Sequence, residues 1–214
     1  MKPSARYEFF ARLEAADPEP KTELEYATPF QLLVAVVLSA QATDKGVNRA
    51  TRPMFRAHPT PQSLLAIGEQ GISEYIQTIG LYRTKAKNVM ALTRQILERH
   101  DGQVPNDRAA LEALPGVGRK TANVVLNVVF GEPTMAVDTH VFRVANRTGL
   151  GLGETVDIVE RKLLKSVPLE FRQHAHHWLI LLGRYTCIAR KPKCPICPVA
   201  DLCSYRNKTH KTHV

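Results

Sequence analysis

The first residue that could take part in a reaction is a lysine at the start of a predicted helix. Lys120 lies in the stretch Leu-Pro-Gly-Val-Gly-Arg-Lys-Thr-Ala, and the pattern after it predicts a helix over residues 119–130. The dipole at a helix N-terminus disfavours a cation but not an uncharged amine. An uncharged lysine amine is a nucleophile that forms Schiff bases with carbonyl carbon atoms. The position of Lys120 therefore favours amine chemistry over a purely electrostatic role.

The stretch around Lys120 also predicts a turn between two helices. Gly116 and Gly118 allow the chain to turn tightly and to approach another molecule closely. A short helix over 107–113, which Asn106 can cap, precedes the turn. The N–H groups at the start of the following helix point outward, where a phosphate can bind. An ordinary helix–helix turn has the same glycines, so these two residues alone do not establish a phosphate site.

A carboxylate follows in the segment Ala-Val-Asp-Thr-His-Val. Asp138 is placed to cap a helix predicted near 140–148, and capping alone would explain its presence. A carboxylate that faces a lysine can also assist amine chemistry. The residues by themselves leave both roles open for Asp138.

All the cysteines lie close together near the C-terminus: Cys187, Cys194, Cys197 and Cys203. In a reducing compartment such clustering favours a metal site over disulfides. Four thiolates, two of them in Cys-x-x-Cys, suit either tetrahedral zinc or a cubane iron–sulfur cluster. The spacing does not separate the two, and zinc is the simpler choice from spacing alone.

The composition favours an acidic partner. The 214 residues carry a formal net charge of +9, and nucleic acid is the leading candidate. No basic amphipathic helix and no apolar run of bilayer length points to a membrane. The first ten residues lack the pattern of a signal peptide, so we expect a cytoplasmic protein, associated with the nucleoid if the source is bacterial.

Hydrophobic periodicity predicts an all-α chain, with no alternating stretch long enough for a strand. Residues 30–38 are apolar almost all round and should form a buried central helix. Thr43 should begin the next helix, which Pro53 should kink or end early. Residues 74–78 should form a short helix. Further helices are expected over 84–100, 156–166 and 171–185.

Together, the Lys120 stretch, the Val-Asp-Thr-His segment at Asp138 and the cysteine cluster resemble the helix-hairpin-helix DNA glycosylases, most closely the endonuclease III family. The resemblance covers nearly the whole chain. It implies a base-excision-repair enzyme that removes oxidised pyrimidines from duplex DNA. The enzyme would then cut the abasic site by β-elimination, through a Schiff base on Lys120 with the help of Asp138. It also implies a [4Fe–4S] cluster on the four cysteines rather than zinc. A monomer is expected.

The resemblance implies an all-α fold of two helical domains that flank a DNA-binding cleft, with Asp138 opposite Lys120. One domain would be contiguous and barrel-like, and the other discontinuous and iron–sulfur-binding. The expected ranges are 22–132, with the helix-hairpin-helix over about 107–130, and 1–21 plus 133–214, with the cluster loop over 187–203.

DNA contacts are implied in several places. The family fills the space left by an extruded nucleotide with a Gln and a Leu, which match Gln41 and Leu81. Without the family, Gln41 would be a loop residue and Leu81 a core residue. His140 could orient Asp138 or contact phosphate, and a packed or capping histidine is an equal alternative. The other expected contacts are Gly116, Val117, Gly118, Arg119, Thr121, Arg190, Lys191 and Lys193.

The adenine-removing branch of the same superfamily is one alternative. That branch shares the cluster and the aspartate but usually lacks the hairpin lysine, and it carries a Glu one turn before the Gln. Here Lys120 is present and residues 34–38 hold no acid, so this branch is disfavoured.

A non-catalytic DNA-binding module with a structural metal is the other alternative. Hairpins of this type often do no more than hold a phosphate. Binding alone requires neither Lys120 nor Asp138, so their joint presence argues for an enzyme.

Overall fold

The computed structural model describes residues 1–210, and within them the chain forms eleven α-helices and no β-strand. The all-α prediction is confirmed. No helix in this part of the chain is both long enough and apolar enough to cross a membrane. The helices are α1 (Pro3–Ala16), α2 (Pro29–Leu38), α3 (Asp44–Ala57), α4 (Pro61–Ala66), α5 (Gly68–Ile76), α6 (Tyr82–Arg99), α7 (Arg108–Glu112), α8 (Arg119–Phe130), α9 (Thr139–Thr148), α10 (Val156–Ser166) and α11 (Arg172–Leu181).

The chain folds into two compact units. The hairpin unit is the contiguous segment Thr22–Gly131, which contains α2 to α8. The cysteine unit joins Met1–Lys21 to the chain from Glu132 onward and contains α1 and α9 to α11.

Helix α2 is the centre of the hairpin unit. Every residue from Phe30 to the end of the helix at Leu38 is buried, as the uniformly apolar sequence predicts. Thr28 caps the helix by accepting a hydrogen bond from the Gln31 N–H at 3.2 Å. Helices α3, α6 and α8 pack against α2, so α2 supports both α6 and the second helix of the hairpin.

Helix α3 does not stop at its proline. It begins after Thr43 as predicted, but it runs through Pro53 to Ala57. Of the two effects predicted for Pro53, a kink or an early end, the early end is wrong because the residues after it are anchored. Met54 and Phe55 are buried, and their burial outweighs the backbone hydrogen bond that proline removes.

Two shorter helices also differ from prediction. Helix α5 begins at Gly68, well before the predicted start at residue 74, because Ile72 and Ile76 bury one face of the longer helix. Helix α7 is capped by Asp107 and not by Asn106. The Asp107 carboxylate accepts a hydrogen bond from the Ala110 N–H at 2.7 Å, which makes Asp107 the N-cap residue.

An aromatic core holds the N-terminal helix against the C-terminal part of the cysteine unit. The Phe171 ring lies 6.0 Å from the Phe10 ring and 6.2 Å from the Trp178 ring, centroid to centroid. The Trp178 indole N–H donates to the Asp17 carbonyl at 2.8 Å. Trp178 is buried in this core, and these contacts tie α1 to α11.

The predicted helix over 171–185 is three different segments. A 3-10 turn (Leu169–Phe171) precedes α11, and a π-helical turn (Leu182–Thr186) follows it. The Cys187 N–H closes the wider turn by donating to the Leu182 carbonyl at 2.6 Å. π-Helical turns often occur at functional sites, and this one leads directly into the first cysteine.

Candidate functional site

The turn between α7 and α8 depends on glycine geometry and on buried neighbours. Gly116 has φ +79°, which favours glycine. A Cβ atom at Gly116 would lie 3.0 Å from the Asn88 Cβ of α6. Leu114 and Val117 on either side are buried, and the Val117 N–H donates to the Leu114 carbonyl at 3.1 Å. The turn is therefore held by contacts within the protein.

Helix α8 begins with an open N-terminus. Gly118, the N-cap residue, is extended and has no side chain to cap the helix. Uncapped N–H groups at a helix start, together with the helix dipole, attract an anion. Arg119 and Lys120 are exposed in this first turn. The site can thus bind a phosphate and present a primary amine beside it.

Both residues matched to the positions that replace the extruded nucleotide in the family have strained backbones. Gln41 has φ 54° and Leu81 has φ 61°, values that non-glycine residues seldom adopt. Leu81 is 63% exposed, so the interpretation of it as core is wrong. Gln41 is an exposed loop residue, as read without the family. Backbone strain of this kind concentrates at functional sites.

Asp138 caps α9 with one of its two oxygens. Its Oδ1 atom accepts from the His140 N–H at 2.9 Å and from the Val141 N–H at 2.8 Å. The capping role is confirmed. The Oδ2 atom accepts no hydrogen bond from any residue within 1–210. The half-buried carboxylate therefore has one oxygen free to face a ligand.

Arg143 of α9 joins this helix to the π-helical turn. Its Nε donates to the Cys187 carbonyl at 2.9 Å, and its Nη2 donates to the Gly183 carbonyl at 2.8 Å. The same Nη2 lies 3.2 Å from the Nδ1 atom of His140. Partial burial lowers the pKa of the Arg143 guanidinium, which nevertheless remains charged and acts only as a donor.

Arg147, one turn further along α9, holds the cysteine loop. Its two terminal nitrogens donate to the Ile188 and Ala189 carbonyls, each at 2.8 Å. Its guanidinium carbon lies 4.7 Å from the centre of the Tyr205 ring. Neither Arg143 nor Arg147 is among the site residues predicted from the sequence. Their spacing from His140 (i, i+3, i+7 on one helix) was the signal, because these positions share one helix face.

The four cysteines line a single cavity and form no disulfide. Burial raises the pKa of the Cys197 and Cys203 thiols. Two N–H groups point at sulfur: Arg147 Nη1 lies 3.6 Å from the Cys187 Sγ, and the Tyr205 N–H lies 3.5 Å from the Cys203 Sγ. Such N–H donors are typical around iron–sulfur thiolates.

The chemistry of the donor set fits an iron–sulfur cluster. Four thiols line one cavity, and N–H groups are directed at two of the sulfur atoms. Iron–sulfur clusters are held by four cysteine thiolates, and hydrogen bonds to their sulfur atoms are part of such sites.

The basic residues of the loop are held on its surface. Arg190, Lys191 and Lys193 are exposed on either side of the buried Pro192. Lys191 has φ 50°, and the Lys193 N–H donates to the Thr186 carbonyl at 2.9 Å. These backbone constraints fix the positions from which the three basic side chains project.

Two family models match the chain. Residues 34–169 match the HhH-GPD superfamily of base excision DNA repair proteins, and residues 187–203 match the iron–sulfur binding domain of endonuclease III. The chain is also 58% identical to endonuclease III of Haemophilus influenzae over 208 residues, which are 97% of this chain and 99% of that protein.

The chain belongs to the endonuclease III family. Endonuclease III of Escherichia coli K12 is likewise 58% identical over 208 residues, covering 97% of this chain and 99% of that protein. A solved structure of a trapped endonuclease III–DNA covalent intermediate matches with a TM-score of 0.88 and 43% identity, covering 95% of this chain and 96% of that one. The expected helix-hairpin-helix fold with its C-terminal iron–sulfur loop is confirmed, and so is the [4Fe–4S] cofactor.

Proposed function

We propose that this chain is a DNA glycosylase that removes oxidised pyrimidines from duplex DNA and cuts the abasic site through a lysine Schiff base. The observation that carries the proposal is the exposed Lys120 in the first turn of the uncapped α8. A surface that only binds phosphate does not need a nucleophilic amine there. The trapped covalent complex of the related endonuclease III supports an enzyme that forms a covalent bond with DNA.

DNA binding begins with the phosphate backbone. The N–H groups of Gly116 and of residues 118–121 hold a phosphate beside the lesion without reading the base sequence. The Val117 N–H is not among them, because it donates to the Leu114 carbonyl. The damaged nucleotide must leave the duplex before any side chain can reach its sugar. Gln41 and Leu81 fill the vacated space, a role supported by the exposed Leu81 side chain and by the strained backbone at both positions.

The chemistry then proceeds on the sugar. The uncharged Lys120 amine forms a bond to C1′ while the C1′–base bond breaks, and the base leaves with the electron pair and takes up a proton. Opening of the sugar ring gives a Schiff base between Lys120 and C1′. Loss of a C2′ proton and cleavage of the C3′–oxygen bond cut the strand on the 3′ side. Water finally releases the sugar from Lys120.

Asp138 assists the first of these steps. The capping interaction uses only Oδ1 and leaves Oδ2 open. The negative charge of the carboxylate stabilises the positive charge that develops on the sugar as the base leaves. Because Asp138 and Lys120 lie in different units, the proposal requires one nucleotide to contact both residues when DNA is bound.

We assign the [4Fe–4S] ligands to Cys187, Cys194, Cys197 and Cys203, the cysteines that line one cavity. When bound, the cluster supplies a rigid cross-link of the loop at four points. Arg190, Lys191 and Lys193 project from this loop and contact DNA phosphates, for which their exposure and fixed backbone give the support. We also infer that the two units are the two domains of a monomeric, cytoplasmic enzyme, which acts on the nucleoid if the source is bacterial.

Borohydride trapping tests this function directly. The full chain is mixed with a duplex that carries one oxidised thymine, and borohydride reduces any Schiff base to a stable amine. We expect a covalent protein–DNA product with the wild type and none with Lys120→Gln. Lys165→Gln, which removes an exposed charge from α10, is the control and should still be trapped.

Retained DNA binding without a trapped product in the wild type would contradict the lyase mechanism. Release of the free base would then indicate a glycosylase that uses water, and its absence would indicate a DNA-binding module.

A further inference from the structure

Three residues of the cysteine unit form a close contact at the start of α9. The Arg143 Nη2 atom lies 3.2 Å from the His140 Nδ1 atom and 2.8 Å from the Gly183 carbonyl oxygen. Gly183 approaches so closely that a Cβ atom there would lie 2.9 Å from the His140 Cβ. Arg143 therefore contacts the His140 ring, and Gly183 lies close to the base of the same side chain.

The chemistry of the contact determines where the imidazole proton lies. A guanidinium has only donor hydrogens, so Nδ1 of His140 must be the acceptor. A neutral histidine whose Nδ1 accepts carries its proton on Nε2. The Nε2 atom has no hydrogen-bond partner within the described chain, and the side chain is half-buried. His140 thus presents one N–H group that no residue in the described range uses.

We propose that Arg143 is a positioning residue that fixes His140 as a neutral Nε2–H donor to a phosphate oxygen of bound duplex DNA. The inference rests on the proposed function. It separates the two roles that the sequence leaves open for His140, because Asp138 is bonded by the backbone N–H of His140 and not by its ring.

Two features support a fixed donor. Arg143 cannot rotate freely, because it also donates to the Cys187 carbonyl at 2.9 Å. A hydrogen on Nδ1 would point at the guanidinium, so the 3.2 Å contact requires an Nδ1 atom without a hydrogen. A phosphate oxygen is a pure acceptor, and an N–H donor beside it needs no knowledge of the base sequence.

The first test is the tautomer itself, measured by ¹⁵N NMR of the imidazole rings in the cluster-loaded full chain near neutral pH. The chain has eight histidines, and the His140 signals are those lost in His140→Gln. We expect protonated Nε2 and bare Nδ1 in the wild type, and a mixture of tautomers in Arg143→Met. A wild-type ring protonated on Nδ1, alone or on both nitrogens, would overturn the proposal.

Arg147→Met is the matched control for this spectrum. Arg147 holds carbonyls of the same loop from the same helix face but has no contact with the His140 ring. The His140 signals should therefore keep the wild-type pattern in Arg147→Met. A tautomer mixture there equal to that of Arg143→Met would show that loosening the loop suffices, and would refute a direct role of Arg143.

The second test is a double-mutant cycle on affinity for a duplex with an uncleavable abasic-site analogue, with iron content matched among variants. His140→Ala should weaken binding by about tenfold or more, the size expected for a hydrogen bond to a charged acceptor. In the wild-type background, Arg143→Met should weaken binding by a similar factor. In the His140→Ala background the same substitution should weaken binding by less than about twofold, because Arg143 acts through the His140 ring.

Independent losses from the two substitutions, or no loss from His140→Ala, would contradict the proposal. Failure of the wild type to bind the duplex at all would overturn the proposed function, while the NMR result would still decide whether Arg143 fixes the tautomer. Lack of folding in Arg143→Met leaves the wild-type spectrum and the His140→Ala affinity as the deciding measurements.

Discussion

The hairpin turn and the cysteine loop both present positive groups, but different forces hold them. The hairpin turn is shaped by Gly116, by a bond between Val117 and Leu114, and by the burial of those two neighbours. The cysteine loop, residues 187–203, has one short 3-10 turn (Cys194–Ile196) as its regular structure in the described chain. It is held by guanidinium bonds from α9 to its carbonyls.

This difference indicates which of the two regions needs the cofactor to keep its conformation. A turn fixed by short-range backbone bonds and buried apolar neighbours forms with the helices on either side of it. A loop with little regular structure needs cross-links to hold one conformation, and the cluster supplies four. We therefore expect the hairpin unit to keep its structure without the cofactor and the loop of the cysteine unit to lose it.

Removal of one cluster ligand should have the largest effect. Cys197→Ser should lower the iron content and open the loop that carries Arg190, Lys191 and Lys193. These side chains are already exposed, so it is the opened backbone that lets trypsin cut after Arg190 and Lys193. We expect cleavage there to be more than about tenfold faster than in the wild type, because proteolysis follows the population of the open form. Equal cleavage rates in an iron-free variant would show that the loop is rigid without the cluster.

Acid should weaken the cysteine unit through one buried histidine. Burial, followed by the nearby His174, lowers the pKa of His177 to about 4, against a raising effect of Asp17. The unfolded chain binds this proton near pH 6.5, so the stability present above that value is lost as the pH falls towards 4. The loss should reach about 2 kcal/mol near pH 5.

Thermal melts followed at Trp178 across this pH range measure the effect, with cluster absorbance recorded to exclude acid loss of iron. The slope should be absent in His177→Gln, whose side chain does not titrate. A variant with the wild-type slope would assign the acid sensitivity to another group.

A substitution in the hairpin turn should damage both folding and DNA binding. Gly116→Ala places a side chain at φ +79° and against Asn88, which should cost about 1–2 kcal/mol of unfolding free energy. Gly131→Ala at the other end of α8 is the matched control, because it has φ +70° but no atom within 4 Å of the new Cβ.

Chemical denaturation and duplex affinity separate the two variants. Gly131→Ala should lose stability and keep its affinity for DNA, whereas Gly116→Ala should lose both. Equal affinities in the two variants would contradict the role of the turn as a phosphate site.

The smallest effect concerns a buried lysine in the hairpin unit. Lys85 is 5% exposed, and its ammonium has no hydrogen-bond partner within the described chain. Burial lowers the pKa of Lys85, so it destabilises the fold at neutral pH and ceases to do so as the pH rises towards its ordinary value of 10.5. Lys85→Met should therefore raise the unfolding free energy by about 1 kcal/mol, measured by urea denaturation at neutral pH. A loss of stability would show that the ammonium has a stabilising partner.

Most of the fold could be predicted from short-range sequence signals. Thr28-Pro29, the apolar run after it and the glycine at 131 determine where α2 and α8 begin or end, because capping and burial act within one or two turns. Pro53 failed as a stop signal since the burial of Met54 and Phe55 is a tertiary effect. The π-helical turn before Cys187 was also missed, because its bonds differ from those of an α-helix only in register.

The candidate site was predictable to different depths. Lys120, Asp138 and the cysteines stand out by type and spacing, and the family resemblance added Gln41 and Leu81. The exposure of Leu81 could not be derived from an apolar side chain, which ordinarily favours the core. The guanidinium bonds of Arg143 and Arg147 join residues about forty positions apart in the chain, and no local pattern encodes such a pairing.

Amide hydrogen exchange of the full chain, with and without its cluster, tests most directly whether the two regions differ as described. We predict that removal of the cluster leaves the amide protection of α8 and the hairpin turn unchanged. Residues 187–203 should lose their protection, and so should the part of α9 around Arg143 and Arg147, which donate to carbonyls of that loop. Equal loss in both units would contradict the account, since the hairpin would then depend on the cofactor as much as the loop does.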